Sequence, residues 1–216
     1  DPAATVAVIG DFAAVPRYQG AGSSAVNASR VDTVTDLLPQ SGLRTVGYAP
    51  GFARNGNPDP AKRTEAVALA QTADVVLLCL GLDELRESEG MDRTDMCLAQ
   101  NQVDLLAAVA EVNPNTVVVL SAGAPVETPW LPHCKALLYA ALGGRPVPVR
   151  CWTCLPARRA PADIWPKPGP CGTRTPLPPV PLRGRGGSYR TGKDCMWATV
   201  ITRRRGSRWR FPSGMG

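Results

Sequence analysis

Asp74-Val75-Val76-Leu77-Leu78-Cys79-Leu80-Gly81 is an unbroken apolar run closed by glycine. It constrains the fold more than any other segment. Strands buried on both faces read this way, and such strands belong to parallel sheets covered by helices. Three further segments share the character: Thr5–Gly10, Arg44–Tyr48 and the β-branched Thr116–Leu120, with Lys135–Ala140 as a fifth strand. Helical spacing fills the gaps. Val31, Val34, Leu37 and Leu38 predict one helix ended by Ser41-Gly42. Pro60–Thr72 predicts a second, with Ala66, Val67, Leu69 and Ala70 inward. Gln102–Val112 predicts a third, with Val103, Leu106, Ala107 and Ala110 inward and Asn113-Pro114-Asn115 as its stop. Strands alternating with helices give an α/β fold, a three-layer α/β/α sandwich with a mostly parallel sheet. About 140 residues suffice for one such core.

The loop after the Asp74–Gly81 strand leaves the carboxyl end of the sheet, where open α/β sheets place ligands. It carries Glu87-Ser88-Glu89-Gly90-Met91-Asp92-Arg93. Either glutamate has the chemistry of a general acid, since neighbours readily shift a loop carboxyl's pKa; a solvated charged loop is the plainer reading. After the first strand, Gly20-Ala21-Gly22-Ser23-Ser24 lacks the GxGxxG spacing and stands some ten residues beyond the strand, so dinucleotide binding is rejected. Its backbone N–H groups and hydroxyls suit a polar ligand; otherwise it is a surface turn. Gln19, Gly20, Gly22, Ser23, Ser24, Asp92 and Arg93 are the candidate substrate contacts.

Composition changes near Gly143-Gly144. Residues 1–144 hold 9 Lys+Arg against 16 Asp+Glu, a net of −7, whereas 145–216 hold 15 against 2, a net of +13. The second stretch also has 12 of the 22 prolines, 4 of the 5 tryptophans and 4 of the 7 cysteines. It shows no sustained period of 2 or 3.6, so an irregular, Pro/Arg-rich tail is expected over 145–216. Arg203-Arg204-Arg205 with Trp209 has the look of a nucleic-acid patch, and net charge alone favours nonspecific polyanion binding, with no specific nucleic acid implied. Cys151 and Cys154 form a CxxC, but Cys171 and Cys195 follow at gaps unlike the paired CxxC of zinc ribbons. Pro176–Pro181 favours polyproline II. Cys79, Cys97 and Cys134 read as reduced thiols. His133 stands alone, which excludes a multi-histidine metal site and favours a surface role. No metal or cofactor is implied. No apolar stretch approaches ~20 residues, so no membrane span is expected, and with Asp1-Pro2 opening directly before the first strand a cytoplasmic location is favoured.

Residues 1–144 resemble the C-terminal α/β sandwich domain of glycoside hydrolase family 3, the β-glucosidase and β-xylosidase group. Four blocks carry the resemblance in the family's order: Val6–Gly10; Tyr18–Ser24; Glu87–Arg93 with Leu98 and Asn101-Gln102; and Asn113–Leu120 with Gly123, Pro125-Val126 and Pro129-Trp130. Ala99 departs from it, where the family usually has proline. The resemblance implies that Glu89, with Glu87 the lesser choice, is the catalytic acid/base of a retaining glycosidase acting on a β-glucoside-like carbohydrate. Retention needs a second carboxylate ~5–5.5 Å away as nucleophile. In the family it is an aspartate of a (β/α)8 barrel domain, in a Ser-Asp-Trp-like context that this sequence lacks. The chain alone is therefore expected to be inactive, holding one half of an active site. The alternative is a non-catalytic α/β carbohydrate-binding or interaction domain with a basic tail.

The tail leaves the family pattern at the Gly-Gly. Arg145–Pro156, written in GC-rich codons and read in another frame, yields the family's glycine- and alanine-rich helix. The same shift turns Cys195–Ile201 and Arg208–Met215 into later family blocks, and Met and Trp, with one codon each, constrain the fit. A frameshift near residue 144 is the expected origin of the tail.

Overall fold

The computed structural model describes residues 3–23, 25–142 and 199–202, the last as backbone only. Five parallel strands form the sheet: β1 (Thr5–Ile9), β2 (Arg44–Ala49), β3 (Val75–Gly81), β4 (Thr116–Ser121) and β5 (Ala136–Tyr139), in the order β2-β1-β3-β4-β5. Each lies within a residue or two of the segment its sequence predicts. The reason is burial: Val8, Ile9, Leu78, Leu80, Val118 and Leu120 are all fully enclosed in one continuous core. Residues of this kind on neighbouring strands, each side chain removing about 1.5–3 kcal/mol worth of apolar surface from water, fix the register.

Three helices accompany the strands: α1 (Val34–Leu37), α2 (Pro60–Gln71) and α3 (Gln100–Val112). Right-handed crossovers decide their faces. The chain steps one way from β1 to β2 and the other way from β2 through β3 to β4. So α2 and α3 share a face, where they pack on each other, and α1 lies on the opposite one. α2 starts where Asp59 accepts the Lys62 N–H at 3.1 Å, with Pro60 at the first helical position.

Two of the helices differ from expectation. The helix predicted over 31–38 is only four residues, Val34–Leu37. A capping box between Thr33 and Asp36 starts it late, and Pro39 turns its end into a 3-10 helix. The buried face of α3 is not the one that apolar spacing suggests. Leu106 is buried as expected, but Val103, Ala107 and Ala110 are only half-buried, and Asn101, Gln102, Leu105 and Val109 point inward. Two amides hold that face: Gln102 pairs both ways with the Gly81 backbone at 2.9 Å, and Asn101 donates to the carbonyls of Ala53 and Asn57. In α2, Ala66 and Ala70 are buried while Val67 and Leu69 pack at the margin of the core.

Of the tail, one short segment is described. Thr199–Thr202 forms a strand, β6, antiparallel to β5 with Leu138 opposite Val200. Thr-Val-Ile-Thr is a run of four β-branched residues, and β5 would otherwise be an unpaired edge. The Arg203–Arg205 patch, the four tail cysteines and Pro176–Pro181 lie outside the described residues. Of the remaining cysteines, Cys79 and Cys134 are buried and Cys97 is exposed. His133 is exposed at the end of a 3-10 turn.

Candidate active site

Three loops meet beyond the carboxyl ends of β1, β3 and β4, and a buried pair, Arg17 with Glu87, joins them. Arg17, 4 % exposed, donates Nη1–H to the carbonyls of Leu82 and Asp83 at 2.8 Å and to Glu87 Oε2 at 2.7 Å. Its Nη2 donates to the Glu87 carbonyl at 3.2 Å. The Glu87 side chain, 7 % exposed, also accepts the Gly123 N–H on Oε2 at 3.1 Å and the Ala124 N–H on Oε1. A buried ion pair is best tolerated when hydrogen bonds satisfy its remaining polar atoms; Glu87 meets that requirement, and Arg17 does so except at Nε, which has no partner among the described residues. Space is equally tight, because a Cβ on Gly123 would stand 3.3 Å from Glu87 Oε1. Beside it Tyr139, at the end of β5, donates its hydroxyl to the Ala122 carbonyl at 2.8 Å. Burial, and then the charge of Glu87, raise this phenol's pKa.

Glu89 has the opposite surroundings. It is exposed, and both of its hydrogen bonds fall on one oxygen: Oε2 accepts the Ser23 N–H at 2.8 Å and the Ser23 hydroxyl. The Glu89 N–H reaches the Ala21 carbonyl at 3.4 Å, and Ala21 and Ser88 form an isolated parallel bridge. Gly22 allows this approach. It has φ +105°, and a Cβ there would lie 2.6 Å from Glu89 Cβ and 2.9 Å from Oε2. Hydrogen bonds from the Ser23 side chain and then its backbone hold the Glu89 carboxyl below the ordinary glutamate range, against a smaller opposing desolvation.

The other candidates divide. The Gln19 amide is engaged with the backbone of Val26 in both directions at 3.0 Å, so it shapes its own loop. Ser23 faces Glu89, and Gly20 is half-buried in the same loop. Arg93 donates to the Pro125 carbonyl at 2.9 Å, which ties the acidic loop to the loop after β4, and Asp92 is exposed beside it. Leu85, Arg86, Met91, Asp92 and Arg93 line a shallow depression there. Ser24 lies outside the described residues. Arg17 and Tyr139 were not singled out from the sequence. An isolated arginine reads as surface charge, and its partner is 70 residues away.

The glycosyl hydrolase family 3 C-terminal domain model matches residues 1–147. The chain belongs to glycoside hydrolase family 3. It is 44 % identical over 142 residues to an exo-α-(1→6)-L-arabinopyranosidase of Bifidobacterium breve, across 65 % of this chain and 19 % of that protein. To the thermostable β-glucosidase B of Acetivibrio thermocellus it is 42 % identical over 144 residues, across 65 % of this chain and 19 % of the relative. The crystal structure of the Bifidobacterium adolescentis family 3 β-glucosidase superposes with a TM-score of 0.62 at 43 % identity, over 66 % of this chain and 22 % of that one. The chain thus spans about a fifth of the length of the curated relatives it matches. These relatives are glycosidases, and the α/β sandwich is the fold their family shares with it. Among the described residues, no helix is long and apolar enough to cross a membrane and no three His, Cys, Asp or Glu side chains gather as a metal site.

Proposed function

We propose that this domain supplies the acid/base loop of a retaining β-glycosidase of β-glucosidase type, and that Glu89 is the acid/base. The observation that carries the reading is the contrast between the two loop glutamates. Glu87 is enclosed and every hydrogen bond it makes is internal, so it has no oxygen to offer a glycosidic bond. Glu89 stands exposed at the carboxyl edge with Oε1 left over. In this scheme the nucleophile comes from a (β/α)8 barrel domain, for which the relatives' greater length leaves room. The 216-residue chain by itself then shows no turnover.

An acid must hold its proton at working pH, whereas the Ser23 hydrogen bonds lower the Glu89 pKa here. Docking against a barrel reverses that balance. It strips water from the carboxyl and sets a second carboxylate ~5–5.5 Å away, and both raise a pKa. The first step then runs with Glu89 giving its proton to the leaving oxygen as the nucleophile takes the anomeric carbon. In the second step the Glu89 carboxylate takes a proton from the attacking water.

A chimera tests this: the present domain replaces its counterpart in the Acetivibrio thermocellus β-glucosidase. Hydrolysis of an aryl β-glucoside is expected, with a loss of roughly 10²–10⁴ on Glu89→Gln for a poor leaving group. Undiminished hydrolysis by that variant would overturn the assignment. We further infer that the sequence after residue 144 is out of frame. The family match ends at residue 147, close to the break in composition. Coding DNA in which no alternative frame continues the family pattern after codon 144 would refute it.

A further inference from the structure

The Gly20–Ser24 loop has the donors to hold a sugar, but its described serine spends them elsewhere. We propose that Ser23 is the positioning residue of Glu89: its N–H and hydroxyl hold one carboxylate oxygen, aim the other outward, and favour the charged form that acts as base. The inference rests on the reading of Glu89 as acid/base.

Four observations converge on it. Both Ser23 donors reach the same atom, Glu89 Oε2, the backbone one at 2.8 Å. The two loops are registered on each other by the Ala21–Ser88 bridge and the Glu89 N–H on Ala21 O. Gly22 leaves no room for any side chain that would part them. Finally, the neighbouring charges are committed elsewhere. Arg17 and Glu87 are paired with each other at 2.7 Å, and Arg93 is turned to the Pro125 carbonyl. Asp92 is exposed on the same loop, and no charged side chain is among the causes acting on the Glu89 carboxyl. A single hydroxyl and a single N–H therefore dominate its protonation.

Both donors act on the same oxygen through the cycle. When Glu89 gives its proton to the leaving oxygen, the C–O bond breaks with its electron pair going to that oxygen, and a full carboxylate charge appears on Glu89. The Ser23 N–H and O–H then stabilise that charge. When the carboxylate takes a proton from water, it does so on the outward Oε1, and Oε2 keeps both Ser23 donors. Both donors favour the charged form, the hydroxyl more than the N–H.

The experiment has two arms. In the 216-residue chain, the Glu89 carboxyl is followed by ¹³C NMR against pH and assigned by its disappearance in Glu89→Gln. Ser23→Ala should move the titration to higher pH, and Ser23→Thr, which keeps the hydroxyl, should restore it. Ser23 is exposed, so neither change threatens the fold. In the chimera, Ser23→Ala should move the basic limb of the kcat/KM profile to higher pH, because that limb reports the acid's pKa in the free enzyme. An unmoved Glu89 titration in Ser23→Ala overturns the positioning role and leaves the acid/base reading intact. A moved titration with an unmoved basic limb overturns the acid/base reading, and the positioning role with it.

Discussion

The two ends of the sheet use similar polar residues to opposite effect. At the amino end, one line of contacts runs across the strands in sheet order. Thr5 donates its N–H and hydroxyl to Asp74 Oδ2, each at 2.8 Å; Asn115 donates to the Asp74 carbonyl at 3.0 Å; Lys135 donates to Asn115 Oδ1 at 2.7 Å. Behind it Asn113, buried, donates to the carbonyls of Ala70 and Ala73 and closes the turns after α2 and α3. Each named group there finds its partner locally. At the carboxyl end, Arg17 and Glu87 make a comparable seam across the loops after β1, β3 and β4. Glu89, two residues on, is left partly uncommitted. A seam with all its bonds internal stabilises, whereas a carboxylate with a free oxygen at the edge where α/β folds bind ligands can do chemistry.

The largest effect is expected at Arg17. Arg17→Met leaves Glu87 buried without its cation and should cost about 3–5 kcal/mol. The exposed Lys135→Met at the other end should stay within about 0.5 kcal/mol. Urea midpoints of the two variants measure the difference, and equal losses would mean the Arg17–Glu87 pair stabilises the fold no more than the amino-end contacts do. Asn113→Ala comes next. It removes the donor from two backbone carbonyls, at about 1–3 kcal/mol by the same measurement.

Acid titration sharpens the contrast further. Thr5's backbone and side-chain hydrogen bonds depress the Asp74 pKa. A depressed carboxyl stabilises the fold above its unfolded pKa. As pH falls through the ordinary aspartate range the unfolded chain protonates first, and that stability is lost until folded Asp74 protonates as well. Asp74→Asn should flatten this part of the stability profile. Glu89→Gln should flatten a similar part at the other end, since its carboxyl is depressed in the same sense. The smallest effect belongs to Ala99. Its φ of −59° is already that of proline, so Ala99→Pro should raise stability by about 0.4–1 kcal/mol through the unfolded chain.

What the sequence disclosed follows from where information is local. Val75–Gly81 and Thr116–Ser121 announce themselves because both faces of each strand are buried, and burial writes itself as uninterrupted apolar character. The face of α3 misleads because Asn101 and Gln102 are polar yet inward, and apolar spacing does not register an amide that pairs with the backbone of Gly81. Glu89 was legible as a candidate through its loop and its resemblance. The difference in surroundings between Glu87 and Glu89 was not. It depends on Arg17, Gly123 and Ala124, none of them near the loop in sequence. Ser23 and Gly22 were visible as a polar loop, but their orientation toward Glu89 is a property of the tertiary fold alone.

Leaving-group dependence in the chimera distinguishes Glu89 as proton donor from Glu87 as a structural carboxylate. Hydrolysis rates of Glu89→Ala are measured on aryl β-glucosides with good and poor leaving groups, with and without azide. A good leaving group needs little protonation, so Glu89→Ala should slow it far less than a poor one, and azide should partly restore turnover by attacking the glycosyl-enzyme in place of an activated water. Glu87→Ala should slow both substrates alike, with no azide rescue. Equal slowing of the two substrates by Glu89→Ala without rescue, or a leaving-group dependence that follows Glu87→Ala instead, would contradict the assignment.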